Sequence, residues 1–149
     1  MKLFQIEEPD GSPADPDAPG VAVGIDLGGI LAEVAVAVGG NATVLADREG
    51  FALDLPVPSP TAPAAEWQRL FEGARLRAER ALGQPVTHAI LATASAPDAA
   101  LAERLHAAST AAGLTLLRLI GYRELSGKEA PALTAAILAE DLAPRPGAP

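Results

Sequence analysis

VAVGIDLGGILAEVAVAVGGNATVLAD, running from Val21 to Asp47, is the stretch whose reading decides the fold. Val21, Val23 and Ile25 are apolar and β-branched, which suits a strand buried on both faces, and Asp26 interrupts that run at its end. Gly28 and Gly29 follow at once and permit a tight turn. A carboxylate at such a strand end is placed to meet a ligand. The next strand sets Val34, Val36 and Val38 against Glu33, Ala35 and Ala37, so the alternation demands heavy burial on one face only. Gly39, Gly40 and Asn41 accept positive φ and return the chain for Thr43, Val44 and Leu45. The stretch reads as an antiparallel meander with one acid at its centre.

Outward from there, 149 residues suffice for one domain with a core of its own. Hydrophobic residues make up 49% of the chain but aromatic ones only 3%, so that core is built from Ala, Val and Leu. Cysteine is absent, which removes disulfides and thiolate catalysis and is compatible with a reducing cytoplasm, the expected location. A net charge of −8, with 11 Lys and Arg residues in no dense block, argues against a nucleic-acid partner. Met1 to Ile6 is too short an apolar run for a secretory leader, and no apolar segment is long enough to span a bilayer, so no membrane association is expected.

Residues 1–20 carry EEPDGSPADPDAP, an acidic, proline-rich tract read as a disordered arm because it cannot bury enough apolar surface to offset its ordering entropy. Residues 48–65 are a proline-rich connector whose missing backbone donors forbid a helix. From Glu66, apolar residues recur at helical spacing through Trp67, Leu70, Phe71, Ala74, Ala78 and Leu82, and Gly83 and Pro85 stop the helix. Trp67 is assigned to the core. The pairs Arg69/Glu72 and Arg75/Glu79 read as a solvated charge lattice. VTHAILAT, from Val86 to Thr93, suits a central parallel strand, and Asp98 is placed to cap a helix running to Ala112. Leu114 to Ile120 is the last strand, 121–127 a loop, Lys128 to Leu142 an alanine-rich helix, and 143–149 a flexible tail. Right-handed crossovers then fix an α/β domain over 21–142 with a five-stranded mixed sheet in order 3-2-1-4-5 and helices on both faces, the ribonuclease H-like layout.

VGIDLGGILAEVAVAVGGNATVLADREG resembles the opening of the DnaK-type, seventy-kilodalton heat-shock chaperone ATPase domain, whose members begin V-G-I-D-L-G-T-T-x-S-x-V-A-V. The segment from Ala81 to Ile120 is similar to the same family's L-G-x-x-V-T-x-A-V-I-T-V-P-A, helix, A-G-L and x-R-I-I, through Leu82-Gly83, Val86-Thr87, Ala89-Ile90-Leu91, Ala112-Gly113-Leu114 and Arg118-Leu119-Ile120. The resemblance implies one lobe of an actin-like ATPase fold, with Asp26, Gly28 and Gly29 as a vestigial turn for phosphate and magnesium. Departures then shape the expected function. Ile30 stands where the second threonine belongs and cannot donate to phosphate. Thr93-Ala94-Ser95 replaces V-P-A, Gly121-Tyr122-Arg123-Glu124 replaces N-E-P-T, and the connector stands where the family inserts the subdomain bearing its catalytic lysine. Phosphoryl transfer needs electrostatic groups converging from several directions, so no catalytic residue, no metal and no cofactor beyond residual ATP/Mg binding is expected.

The expected function is a non-catalytic, chaperone-like or accessory protein that acts on a protein partner or by self-association. A sheet-and-loop face without its second lobe predicts association. One alternative is a ribonuclease H-like nuclease or resolvase, in which Asp26 would join Glu124 or Glu129 on two metals. Another is a nucleotide-binding half-site completed by a partner subunit. His88 and His106 fall on different elements without metal-ligand spacing, Ser95 reads as a loop residue, and Tyr122 and Arg123 read as part of a contact surface.

Overall fold

The computed structural model describes residues 20–46, 54–125 and 129–144. The expectations for residues 1–19 of the arm, for 47 at the end of the meander, for 48–53 of the connector, for 126–128 and for the last five residues of the tail lie outside the described residues. The element order is β1 (Val21–Asp26), β2 (Glu33–Val38), β3 (Asn41–Val44), α1 (Ala64–Leu82), β4 (Val86–Thr93), α2 (Ala99–Ala111), β5 (Thr115–Gly121), a 3-10 turn over Tyr122–Glu124, and α3 (Pro131–Leu142). The sheet has five strands in the order β3-β2-β1-β4-β5. Strand β1 pairs antiparallel with β2, setting Ile25 opposite Val34, and parallel with β4, setting Ile25 beside Leu91. This is the α/β architecture and strand order that the meander and the crossover rule require.

Alternation along β1 separates two cores. Val23 and Ile25, with Val34, Val36 and Leu91, face α1 and α2 through Trp67, Phe71, Ala74, Ala78, Leu105 and Ala108. The opposite face carries Ala22, Ile90, Ala92 and Ile120 under Ala135 and Ala139 of α3, with Ala35 and Ala37 under Ala132 and Ala136. Both faces of β2 are therefore covered, where the alternation demanded only one. Ala35 is 0% exposed and Ala37 6%, whereas Val38 at the strand end is 71% exposed. Alanines facing alanines bring backbone to backbone, so small side chains here mark a close helix approach instead of a wet face.

Boundaries move by one to three residues. Helix α1 starts at Ala64 behind Pro63, and α3 starts at Pro131, with Pro at the first position, where its missing N–H costs nothing. Asp98 does cap α2, its side chain accepting from the Leu101 N–H at 2.7 Å. Asn41 opens β3, and Gly39 and Gly40 of the predicted corner take positive φ, at 61° and 85°. The supposed charge lattice on α1 is partly a clamp. Arg75 pairs with Glu79 at 3.0 Å but also donates to the Ala112 carbonyl beyond α2, and Glu79 accepts from the Val86 N–H at the start of β4. Glu72 bonds Gln68, not Arg69.

The Gly39 and Gly40 N–H groups form a concave anion site filled by Glu140 of α3, at 2.6 and 2.9 Å, which ties the β2–β3 corner to the last helix. Glu140→Ala is expected to lower unfolding free energy by about 1–2 kcal/mol, the worth of charge-assisted bonds at a half-open site, and to speed hydrogen exchange at both glycine amides. His88 on β4 bonds Thr87 through Nδ1 at 2.7 Å, and burial lowers its pKa below the ordinary 6.5. The unfolded chain then takes up the proton first as pH falls, so this residue's contribution weakens below pH 6.5. Urea titrations of wild type and His88→Gln should therefore diverge between neutral and mildly acidic pH, the wild type losing more.

Among the described residues, no helix is long and apolar enough to cross a membrane.

Candidate functional site

The carboxyl ends of β1, β4 and β5 lie level with one another. Asp26 sits beside Ala92, and Thr93 beside Gly121, so the residue after each strand opens onto the same end of the sheet. Helices linking parallel strands start there as well. Ala132, Ala135 and Ala136 pass over Gly24 while Ala139 packs with Ala22, which points the start of α3 toward Asp26.

Asp26 is 8% exposed, a buried acid at the end of an otherwise apolar strand. Its Oδ1 accepts from the Gly28 N–H at 2.9 Å, closing an Asx turn, and from the Tyr122 hydroxyl at 2.5 Å. Among the described residues no bond reaches it from Gly29. The phenol lies directly over the turn: a Cβ built on Gly28 would stand 1.9 Å from the Tyr122 oxygen. Gly28 does not adopt the left-handed conformation that a tight turn would ask of glycine; its lack of a side chain makes room for the tyrosine. Burial pushes the Tyr122 pKa well above its ordinary 10.0, the bond to Asp26 and that carboxylate's charge add to it, Glu33 adds more, and the Gly28 N–H opposes them. The phenol is thus held protonated as a donor.

Glu33 is the cross-strand partner of Asp26. The sequence points to Glu124 or Glu129 as the second acid instead. Glu124 turns back on its own 3-10 turn, accepting from the Gly121 N–H at 3.1 Å, and Glu129 is exposed. Among the described residues no group of three His, Cys, Asp or Glu side chains could hold a metal ion. His88 and His106 stand on β4 and α2, as their spacing implied. Tyr122, expected at a contact surface, packs against the α3-side core and closes over Asp26. The pairing was legible only in outline, since the sole tyrosine directly follows the strand whose end draws level with Asp26.

On the other face of the sheet lies a cleft of about 460 Å³, bounded by Gly28 and Gly29, by Val57, Pro58 and Pro60 of the connector, by Thr93 to Asp98, and by Trp67, Leu101 and Leu105. The connector is fastened over it. Ala32 donates to the Leu55 carbonyl at 2.8 Å, Val57 to the Ile30 carbonyl at 2.9 Å, and the Arg104 guanidinium to the Pro60 carbonyl. Trp67 is 3% exposed and stacks obliquely on Phe71 at 6.2 Å, as its core assignment requires. Its indole N–H has no hydrogen-bond partner among the described residues.

No family model matches the chain, and no curated protein does so.

Proposed function

We propose that the protein is a non-catalytic, chaperone-like or accessory domain of the cytoplasm, built as one lobe of a DnaK-type ATPase domain and acting through contact with a protein partner or a second copy. The observation that carries this reading is the commitment of Asp26. Its carboxylate is taken up by Gly28 and Tyr122, and the phenol fills the space from which a phosphate would reach the glycine turn. A magnesium-bound water needs that carboxylate, and a phosphate needs that space. Ile30, where the resemblance asks for a hydroxyl, is 87% exposed and apolar, which suits contact with protein better than contact with phosphate. Asp26, Gly28 and Gly29 are, on this reading, a relic of a phosphate turn. The nuclease alternative is weakened by the engagement of Glu124 elsewhere and by Asp26 having the Tyr122 hydroxyl, not a metal ligand set, around it.

Calorimetry with ATP and magnesium tests the first half. No saturable heat is expected below about 100 μM, a threshold equivalent to roughly 5–6 kcal/mol. Light scattering and capture from native lysate test the second, with self-association or a stable companion expected. Asp26-dependent ATP turnover by the lone chain, or a strict monomer that retains no companion, would overturn the proposal.

A further inference from the structure

We infer that the cleft between Trp67 and the connector is the contact point of the proposed interaction, and that it takes an aliphatic side chain of a partner segment flanked by lysine or arginine. This inference rests on the reading of the protein as an interaction domain. The cleft's volume, about 460 Å³, is in the range of true ligand sites, and its walls are mostly apolar. Those walls are already fixed, because the connector is pinned at Ile30, Leu55 and Pro60. Binding would order little. Next to the cleft, Ile30 at 87% and Leu31 at 46% exposure extend the apolar area onto the surface. Buried aromatic and aliphatic groups at the centre of such a patch supply most of an interface's energy.

The occupant's chemistry follows from charge. No lysine, arginine or histidine is among the residues lining the cleft, and the guanidinium of Arg104, which reaches its wall, is given to the Pro60 carbonyl. Its one charged residue is Asp98, and the hollow sharing Val57 and Pro58 on the connector's other side adds Asp54 and Glu66 against Arg69. With a net charge of −8 on the whole chain, a basic partner is drawn in and an acidic one is repelled. The polar side-chain groups of the lining are Thr93, Ser95, Asp98 and the Trp67 indole N–H, and the Asp98 carboxylate already caps α2. None of these groups carries a positive charge, and Leu27, Val57, Leu101 and Leu105 leave room for an apolar anchor.

The sole tryptophan lies in the cleft wall and gives a direct readout. A blocked hexapeptide, Ala-Lys-Leu-Leu-Lys-Ala, should change Trp67 fluorescence saturably. Glutamate in place of both lysines should weaken binding about tenfold, on the expected worth of several rim charges acting together. Asp98→Asn retains the helix cap but not the charge, and should weaken it about threefold. Ala96→Phe, at an exposed loop position in the cleft wall, should abolish the response without unfolding the domain. No saturable change with the lysine peptide, an equal response to the glutamate peptide, or an unaltered response in Ala96→Phe would each overturn the inference. If lysate capture succeeds equally with wild type and Ala96→Phe, the cleft assignment falls while the interaction reading stands. If wild type is monomeric and captures nothing, the broader reading falls.

Discussion

Gly24→Ala is expected to lower unfolding free energy by about 3 kcal/mol, at the upper end of overpacking costs, and the melting temperature by roughly 6–12 °C for a domain of this size. A Cβ at Gly24 would stand 2.4 Å from the Ala136 nitrogen, 2.7 Å from the Ala135 carbonyl carbon and 2.8 Å from the Ala132 oxygen. All three are helix backbone, which cannot swivel aside as a side-chain tip can. Relief requires lifting α3 away from β1 and opening voids around Ala22, Ala35 and Ala37, all nearly sealed now. Urea unfolding followed by Trp67 fluorescence measures the loss. Gly29→Ala is the control: the nearest atom to its added Cβ is the Leu31 oxygen at 3.5 Å, so a change within about 0.5 kcal/mol is expected. Equal stability of wild type and Gly24→Ala would show that α3 is not seated on β1 as described.

The second large effect concerns the phenol over Asp26. Tyr122 is the one tyrosine of the chain, so phenolate absorbance reports on it alone. In wild type, little ionisation is expected at pH 10.0, where an unperturbed phenol is half ionised. Asp26→Asn removes the charge that opposes a phenolate and should return the titration toward the ordinary value. Gly28→Ala should do so by a different route. Its Cβ, 1.9 Å from the hydroxyl oxygen, pushes the ring tip off the turn and breaks the bond while leaving the carboxylate in place. Tyr122→Phe should cost about 1–2 kcal/mol, a bond to a charged acceptor at a partly exposed position. Because the folded pKa is raised, that difference holds below pH 10.0 and shrinks as pH climbs, the unfolded chain giving up its proton first. An ordinary titration in wild type would remove the observation on which the proposed function stands.

The meander, the strand order and the three helices were all legible in the sequence because each rests on a local rule. Alternation marked β2, Asp98 announced α2, and the crossover rule ordered the parallel strands. What escaped detection depends on residues brought together from afar. Ala35 and Ala37 look like a tolerated, half-wet face until Ala132 and Ala136 are laid on them. Nothing local to Asp26 and Gly28 announces that Tyr122, 96 residues on from Asp26, closes over them. Glu33 was within reach of reasoning, since antiparallel pairing across the hairpin sets it opposite Asp26. Helix boundaries slipped at Pro63 and Pro131 because proline ends one conformation and begins another with equal ease.

The connector's fastenings have a bearing on how such a chain can be lengthened. Leu45 is held to Val34 at 2.7 Å on one side and Leu55 to Ala32 at 2.8 Å on the other, so both banks of the span between them are moored separately to the β1–β2 hairpin. Both moorings land on one short run, Ala32 and Val34, so a residue inserted at Glu33 would misplace the two together and turn the inward side of β2 outward.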